Sequence, residues 1–358
     1  MKFIKTFFTR LLMGANIATI LLLWASCGVT YLSPEWHPHI TLLALAFPAF
    51  LLVNVGFVLF WLIFKAKWVW VPLLGFACCF SFVRDYFPIN WRSTPPDSTL
   101  VVLSYNTMGF GSNDARLADG QNIIVNHVLE SGADIICLQE SYKFKNYQPQ
   151  FEAAGYECVD FREFALCSRL PIVSADTLAL SKRSAHCLRA YLLDGADTIM
   201  LINQHLESNR LTKEVKSAYA EALEKHERDS MRKGIEPVMD LLATAWPLRA
   251  LQTDSIKALI DEWQPRPVIL CGDFNDTPIS YSHRVLTSRL SSAFRESGNG
   301  LGFTFHTKGF PVRIDHILFS GDRWTSYETT VCDTITYSDH FPITTKLAKK
   351  EPQISKNR

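Results

Sequence analysis

Net charge is nearly absent from this chain: 36 Lys and Arg against 35 Asp and Glu leave +1 over 358 residues. That balance argues against a protein that coats nucleic acid through bulk electrostatics, without excluding a local basic groove. No arginine-rich or aromatic-stacking run marks such a groove. The nine cysteines include no CxxC pair and no zinc spacing. Cys27, Cys78 and Cys79 fall in apolar N-terminal runs, and Cys137 and Cys271 sit in strand-like runs where a thiol acts as a small apolar side chain. A disulfide framework is not expected, and internal repeats and low-complexity tracts are missing.

Charge is missing completely from residues 11–32 and 40–64, and about 20 such residues let a helix cross a bilayer. The first run is too long for a signal-peptide core and another follows closely, so it is expected to remain as an anchor. A third run, residues 68–83, falls just short of the roughly 17 residues a span needs, with Lys67 and Arg84 placed to snorkel. Lys2, Lys5 and Arg10 precede the first run and Lys65 and Lys67 follow the second, whereas residues 33–39 hold neither Lys nor Arg. The positive-inside rule then puts the N-terminus in the cytoplasm and, after three crossings, the rest of the chain outside. A re-entrant third segment would leave that remainder in the cytoplasm instead. The expected organisation is a three-span anchor over residues 1–83, a proline-containing linker over 84–99, a folded domain over 100–347 and a polar tail over 348–358.

Within the folded domain, strand-like runs end on polar side chains. Residues 100–105 lead to Asn106, residues 134–138 to Gln139 and Glu140, and residues 198–203 to Gln204 and His205. Residues 119–130 carry a helical stripe closed by Gly132. Residues 267–270 run into Cys271-Gly272-Asp273-Phe274-Asn275-Asp276, where alternation turns Asp273 and Asn275 the same way and Phe274 into the core. Such a pair can orient a water or grip a phosphate oxygen; taken alone, the stretch equally suits a β-turn. Residues 207–263 read as mainly helical, with an apolar stripe at Val215, Ala218, Tyr219 and Ala222, a charged run and an interruption at Pro247. Residues 303–305 and 313–319 read as short strands, the second carrying Asp315, and Asp339 and His340 follow near the end.

In chain order, Ser104-Tyr105-Asn106, Leu138-Gln139-Glu140, Ser168-Arg169-Leu170-Pro171-Ile172, Asn203-Gln204-His205-Leu206, Gly272-Asp273-Phe274-Asn275, Arg313-Ile314-Asp315 and Ser338-Asp339-His340 are similar to motifs of one known family. The chain resembles the endonuclease/exonuclease/phosphatase superfamily, which includes pancreatic-type deoxyribonucleases, apurinic endonucleases, inositol polyphosphate 5-phosphatases and neutral sphingomyelinases. The resemblance covers about residues 100–347 and leaves the N-terminal runs outside it. It implies an α/β fold, the four-layer α/β/β/α sandwich of two mixed sheets (DNase I-like), here preceded by a bundle of three transmembrane helices.

The resemblance also implies a metal-dependent phosphoric ester hydrolase. Glu140 would bind the ion, and Asn106 and Asp339 would complete its surroundings directly or through water. Asp273 would position or deprotonate the attacking water, with Asn275 holding that water or a phosphate oxygen. His340, its tautomer fixed by Asp315, would act on the water or contact the phosphate, and His205 would bind the phosphate or protonate the leaving group. Whether Asp273 or His340 is the base stays open. Hard oxygen ligands suit Mg²⁺, or Mn²⁺, better than Zn²⁺. Met108 stands where apurinic endonucleases carry an acidic residue, and His316 where an aromatic such as Tyr is common.

The expected activity is therefore that of a membrane-anchored, Mg²⁺-dependent phosphoesterase with its domain on the periplasmic side of an inner membrane. Its expected partners are the membrane and a phosphate ester, lipid-derived or exported. An extracytoplasmic endo- or exonuclease acting on DNA or RNA is the alternative. A non-catalytic, phosphate-binding membrane receptor is a third reading, of another class.

Overall fold

The computed structural model describes residues 2–117, 120–180, 186–210, 212–225, 228–307 and 311–350. Helices α1 (Lys2–Gly28), α2 (Leu42–Leu45), α3 (Phe47–Phe64), α4 (Trp70–Cys78) and α5 (Phe80–Tyr86) form an N-terminal bundle. Phe3–Tyr31 and Pro38–Phe64 are each long and apolar enough to cross a membrane. The expected third span, residues 68–83, is a pair of helices, α4 and α5, bent by 71°, the shape of a broken span or of a re-entrant loop. The break falls at Cys79, whose backbone leaves the helical region (φ −115°, ψ 19°). Gly75 O, freed from the helix ladder, accepts the Cys79 thiol at 3.3 Å and the Trp24 indole N–H at 2.9 Å.

The pair lies beside the later part of α1, where Trp24 meets Gly75 and the Phe82 ring packs against Tyr31 at 6.3 Å between centroids; toward the start of α1, Lys65 Nζ just after α3 reaches Thr9 Oγ1 at 2.9 Å. Buried Asn16 ties α1 to α3, donating to Asn54 Oδ1 at 3.2 Å and accepting from the Trp61 indole at 3.0 Å.

The rest of the chain builds two sheets. In order come β1 (Leu100–Asn106), α6 (Ile123–Glu130), β2 (Ile135–Gln139), α7 (Gln148–Ala153), β3 (Glu157–Phe161), β4 (Phe164–Ser168), β5 (Ile172–Ala179), β6 (His186–Asp194), β7 (Asp197–His205), α8 (Lys213–Lys225) and α9 (Arg228–Trp263). Then follow β8 (Val268–Asp273), α10 (Tyr281–Thr287), β9 (Ser291–Ser292), α11 (Ala293–Ser297), β10 (Asp315–Phe319), β11 (Trp324–Val331) and β12 (Ile343–Lys349). One sheet has the order β11-β12-β1-β2-β4-β3, the other β5-β6-β7-β8-β10-β9. Each contains one parallel pair, β1 with β2 and β7 with β8, so both sheets are mixed.

The inner faces meet in a core that includes Val102, Cys137, Leu166, Leu201, Cys271 and Ile317, all buried. Each such aliphatic side chain contributes about 1.5–3 kcal/mol through burial. The outer face of the first sheet packs α6 and α7 through Ile124, Val128 and Phe151, and that of the second packs α9 and α10 through Ile256, Ile260 and Leu286. The result is the α/β/β/α sandwich.

Four elements depart from the sequence reading. Helix α9 continues through Pro237 and Pro247; burial of Val238, Trp246, Ala250, Ile256 and Ile260 offsets the hydrogen bonds the prolines remove. Residues 303–305 form no strand, and Phe305 makes only isolated bridges to Val312 and His340. Helix α6 starts at Ile123 because the Asn122 side chain caps the Ile124 and Val125 amides. The last strand runs to Lys349, and Lys350 N bonds Arg323 O at 2.8 Å, so ordered pairing extends past residue 347. The remainder of the expected polar tail, residues 351–358, lies outside the described residues.

Candidate active site

Strand register assembles the site. His205 ends β7 and pairs with Asp273 at the end of β8, and Asp273 pairs in turn with Asp315 at the start of β10. Three functional side chains thus stand at one level on three adjacent strands. Gly272 permits this approach: its φ is +138°, and a Cβ there would lie 1.9 Å from Gln204 O on β7. The other sheet contributes Asn106 at the end of β1, paired with Gln139, and Glu140 directly after β2. Below the site a polar tie locks the two sheets together, with Gln139 Nε2 donating to Asn203 Oδ1 at 2.7 Å and Asn203 Nδ2 to Leu138 O at 3.0 Å.

The predicted residues converge as follows. Asn106 Nδ2 lies 3.1 Å from both Glu140 Oε1 and Asp273 Oδ2, joining the two sheets' carboxylates. Asp273 Oδ1 accepts the Asn275 backbone N–H at 2.7 Å. Its Oδ2 is faced by His340 Nε2 at 3.6 Å and His205 Nε2 at 3.7 Å. His340 Nδ1 bonds Asp315 Oδ2 at 2.8 Å, the pairing expected from sequence. Asp315 is fully buried behind it. Asn275 lines the same cavity as Asp273 but not off an extended backbone as the alternation suggested. Its φ is +51°, because the chain turns there, and its amide donates to Leu206 O at 3.0 Å. Glu140 is also left-handed, with φ +48°; such strain is retained where surrounding structure fixes a side chain for use. Asp339 stands apart at the cavity rim, a third exposed, 3.6 Å from Lys216 Nζ.

Three partners were not legible in the sequence. Glu163, in the turn between β3 and β4, bonds His205 Nδ1 at 2.9 Å and so fixes that ring as Asp315 fixes His340. An acid in a hairpin turn ordinarily reads as solvated, and no local signal marks it. Lys216, on α8, follows Val215 of that helix's apolar stripe and lies ahead of its charged run, where no local signal marks it. Arg249 is buried on α9, with its Nη1 donating to Asn209 Oδ1 at 2.6 Å and Glu207 O at 3.0 Å and its Nε 3.7 Å from Asp276 Oδ2. A basic residue in the core-facing stripe of that helix is the one signal that could have found it.

Electrostatics follow from this crowding. Burial alone would push the His340 imidazole down, but Asp315 and Asp273 overcome it and raise the group to about 10. For His205, burial again opposes, and Glu163, Asp273 and Glu140 raise it to about 9. Burial and the neighbouring Asp315 raise the Asp273 carboxyl, against the pull of the two histidines. Asp315 Oδ1 is buried without a hydrogen-bond partner among the described residues.

The carboxylates of Glu140, Glu163, Asp273, Asp315 and Asp339 thus outnumber the nearby cationic groups His205, His340 and Lys216. A cation fits that imbalance. Asp273, Asp315 and His340 offer ligand atoms within 4.8 Å of one another. The 2.8 Å His340–Asp315 bond already occupies Nδ1, however, so this trio is better suited to proton handling. Glu140 and Asp339, both open to the cavity, are the oxygen donors suited to a hard divalent ion, whereas Asn106 turns its amide nitrogen to Glu140 and its Oδ1 to the Met108 N–H.

Solved structures carry the same fold. An endonuclease/exonuclease/phosphatase from Bacteroides vulgatus superposes with a TM-score of 0.50 at 16% identity, over 71% of this chain and 100% of that one. A mannosyl-6-phosphatase from Bacteroides thetaiotaomicron gives 0.50 at 20% identity, over 70% and 99%. The human Nocturnin catalytic domain, with a bound sulfate anion, gives 0.51 at 18% identity, over 73% and 96%. No curated protein matches the chain significantly. Residues 9–86 match a domain of unknown function, DUF8431. Residues 103–340, which hold every polar group assembled above, match the Endonuclease/Exonuclease/phosphatase family, and to that family of phosphoester hydrolases this chain belongs.

Proposed function

We propose that this protein is a membrane-anchored phosphoesterase that uses Mg²⁺ or Mn²⁺ to hydrolyse a lipid-derived or exported phosphate ester. The observation that carries the reading is the convergence of Asn106, His205 and His340 on Asp273, with each histidine oriented by its own carboxylate. A divalent ion held by Glu140, with Asn106 and Asp339, would supply neutralisation of the phosphate charge. Asp273 and Asn275 hold the attacking water, and Asp273 takes its proton as the new P–O bond forms. His340, kept in place by Asp315, contacts the phosphoryl oxygens. His205, oriented by Glu163, gives its proton to the departing oxygen as the ester P–O bond breaks.

Two observations support a periplasmic site on an inner membrane. Lys5, Arg10, Lys65 and Lys67 gather at the end of the bundle marked by the Lys65–Thr9 contact, whereas the sandwich attaches at the opposite end. There the Arg295 guanidinium pairs with Asp85 and the Arg284 guanidinium covers the Tyr31 ring at 3.2 Å. The positive-inside rule makes the basic end cytoplasmic.

The test is release of p-nitrophenol from bis-p-nitrophenyl phosphate by the full chain with Mg²⁺, abolished in Asp273→Ala. Silence across divalent metals and a panel of lipid, sugar-phosphate and nucleic-acid substrates would sink the hydrolase and leave the receptor. Cleavage confined to DNA or RNA would replace the lipid-directed reading with the nuclease.

A further inference from the structure

The polar residues above occupy one end of a cavity of about 630 Å³. That volume falls within the roughly 300–1,000 Å³ of small-molecule sites. Its other end is apolar. One wall is a single face of α9, where Val238, Leu242 and Trp246 recur at every fourth residue. Close helix packing fixes this wall: a Cβ on Gly234 would lie 2.6 Å from Ala222 Cβ on α8. The facing wall is Leu42 and Leu45 of α2, inside the second membrane-crossing segment Pro38–Phe64. Between them lies Ile279, 2% exposed, which packs into the same cluster as Leu23, Cys27 and Phe47 of the membrane bundle. The catalytic end and the membrane segment therefore border one continuous space.

We infer that this chamber, walled by α9 and the start of the second membrane segment, holds the hydrocarbon chain of a phospho-amphiphile that enters from the bilayer while its phosphate reaches Asp273 and His340. The reactive end of the inference rests on the hydrolase reading; the chamber itself does not. An unfilled apolar cavity forfeits contacts on every wall, so an apolar occupant is favoured. Leu42, Leu45, Val238 and Leu242 offer no hydrogen bond, so a sugar or other polyol would be stripped of water there without compensation. Aromatic rings do line the cavity, among them Tyr219, Trp246 and Phe305, but a nucleic-acid strand would also call for a cationic track running along them. Of the charged groups in the lining, Arg210 and Lys216 stand beside Glu207 and Asp339, where a headgroup would lie, while the buried Arg249 is turned to Asp276 and the buried Arg313 to the backbone carbonyls of Leu301, Asp85 and Tyr86.

The test measures binding of n-alkylphosphonates, methyl to decyl, to the full chain in lipid nanodiscs with Mg²⁺ present. These ligands carry a phosphate-like head, a chain of defined length and no scissile ester. Each methylene that enters an apolar site can tighten binding by up to about fourfold. Octylphosphonate is expected to bind at least about tenfold more tightly than methylphosphonate. Leu242→Asp and Leu45→Asp, on opposite walls, are expected to remove most of that gain; two variants keep the test decisive should one fail to fold. No dependence on chain length, no binding of any phosphonate, or the same dependence in wild type and both variants would overturn the inference, the last by showing partition into the disc alone. Chain-length-dependent binding without hydrolysis of bis-p-nitrophenyl phosphate or of any lipid, sugar-phosphate or nucleic-acid substrate of the panel would uphold the chamber and reject the hydrolase, so the two failures are distinguishable.

Discussion

His340 Nε2 lies 3.6 Å from Asp273 Oδ2, while its Nδ1 is held at 2.8 Å by the buried Asp315. Asp315 therefore acts on the reaction through the ring it orients and through its charge on Asp273, without touching the substrate itself. Asp315→Asn should lower kcat by about 10²-fold, within the range of general acid–base contributions, and leave KM nearly unchanged. Asp273→Asn should cost more, about 10³-fold or above. Steady-state kinetics on both variants checks the order; a larger loss in Asp315→Asn would contradict it.

Metal removal should abolish turnover. Chelation by EDTA is expected to silence the enzyme, and Mg²⁺ or Mn²⁺ to restore it. Glu140→Gln should raise the metal concentration for half-maximal activity by about tenfold or more, judging from the cost of disturbing metal surroundings. An unchanged metal dependence would remove Glu140 from the ion's ligands.

Stability should fall in acid because of two histidines away from the reaction. His283 and His316 pack with ring centroids 4.8 Å apart and planes tilted by 56°, both buried. Burial, aided by Arg313 and Arg295, lowers His283 to about 3; burial and the neighbouring His283 and Arg313 lower His316 as well. Below about pH 6.5 the unfolded chain takes up protons that the folded chain refuses. The His283 contribution is complete above that pH and lost as pH falls toward 3, and His316 adds in the same direction. Each can add a slope of about 1.4 kcal/mol per pH unit. Denaturant midpoints from pH 7 to 4 should show a shallower decline in His283→Phe than in wild type.

Arg249→Leu should destabilise the protein by about 3–5 kcal/mol, because Asp276 would remain buried without its cation. Asn209 and Glu207 O would lose the same donor, so the loops beside His205 and Asn275 should loosen. Hydrogen exchange across residues 206–210 and 274–278 reads this directly; unchanged protection would dissociate Arg249 from the site.

Topology is open to a labelling test. Trp36 and Trp91 are 81% and 95% exposed, at the end of the bundle that carries the sandwich. Trp36→Cys and Trp91→Cys should both react with a membrane-impermeant maleimide in intact cells, and Lys67→Cys should not. Opposite labelling of Trp36→Cys and Trp91→Cys would refute three crossings.

Much of the site was legible because its residues sit at strand ends, where hydrophobic pattern and polar punctuation coincide. Asn106, Glu140, His205, Asp273 and Asp315 all follow that rule, and the sheet register brings four of them together without help from loops. Glu163 and Lys216 were illegible because contact across the sandwich leaves no local trace. The continuity of α9 through two prolines was missed for a related reason: propensity is local, and the burial that overrides it is tertiary. The kink at Cys79 likewise depends on Trp24, far away in sequence.

The Arg313 side chain places a constraint on how the protein can be divided. Two residues ahead of Asp315, it stacks at 4.0 Å on Phe294 and donates to the backbone carbonyls of Leu301, Asp85 and Tyr86. A soluble fragment cut at residue 95, where proline content suggests a clean boundary, would discard two of those acceptors and leave a buried guanidinium facing solvent it was not built for. Fragments intended for assay should keep the segment from Ser81 onward, even though that retains apolar surface needing detergent.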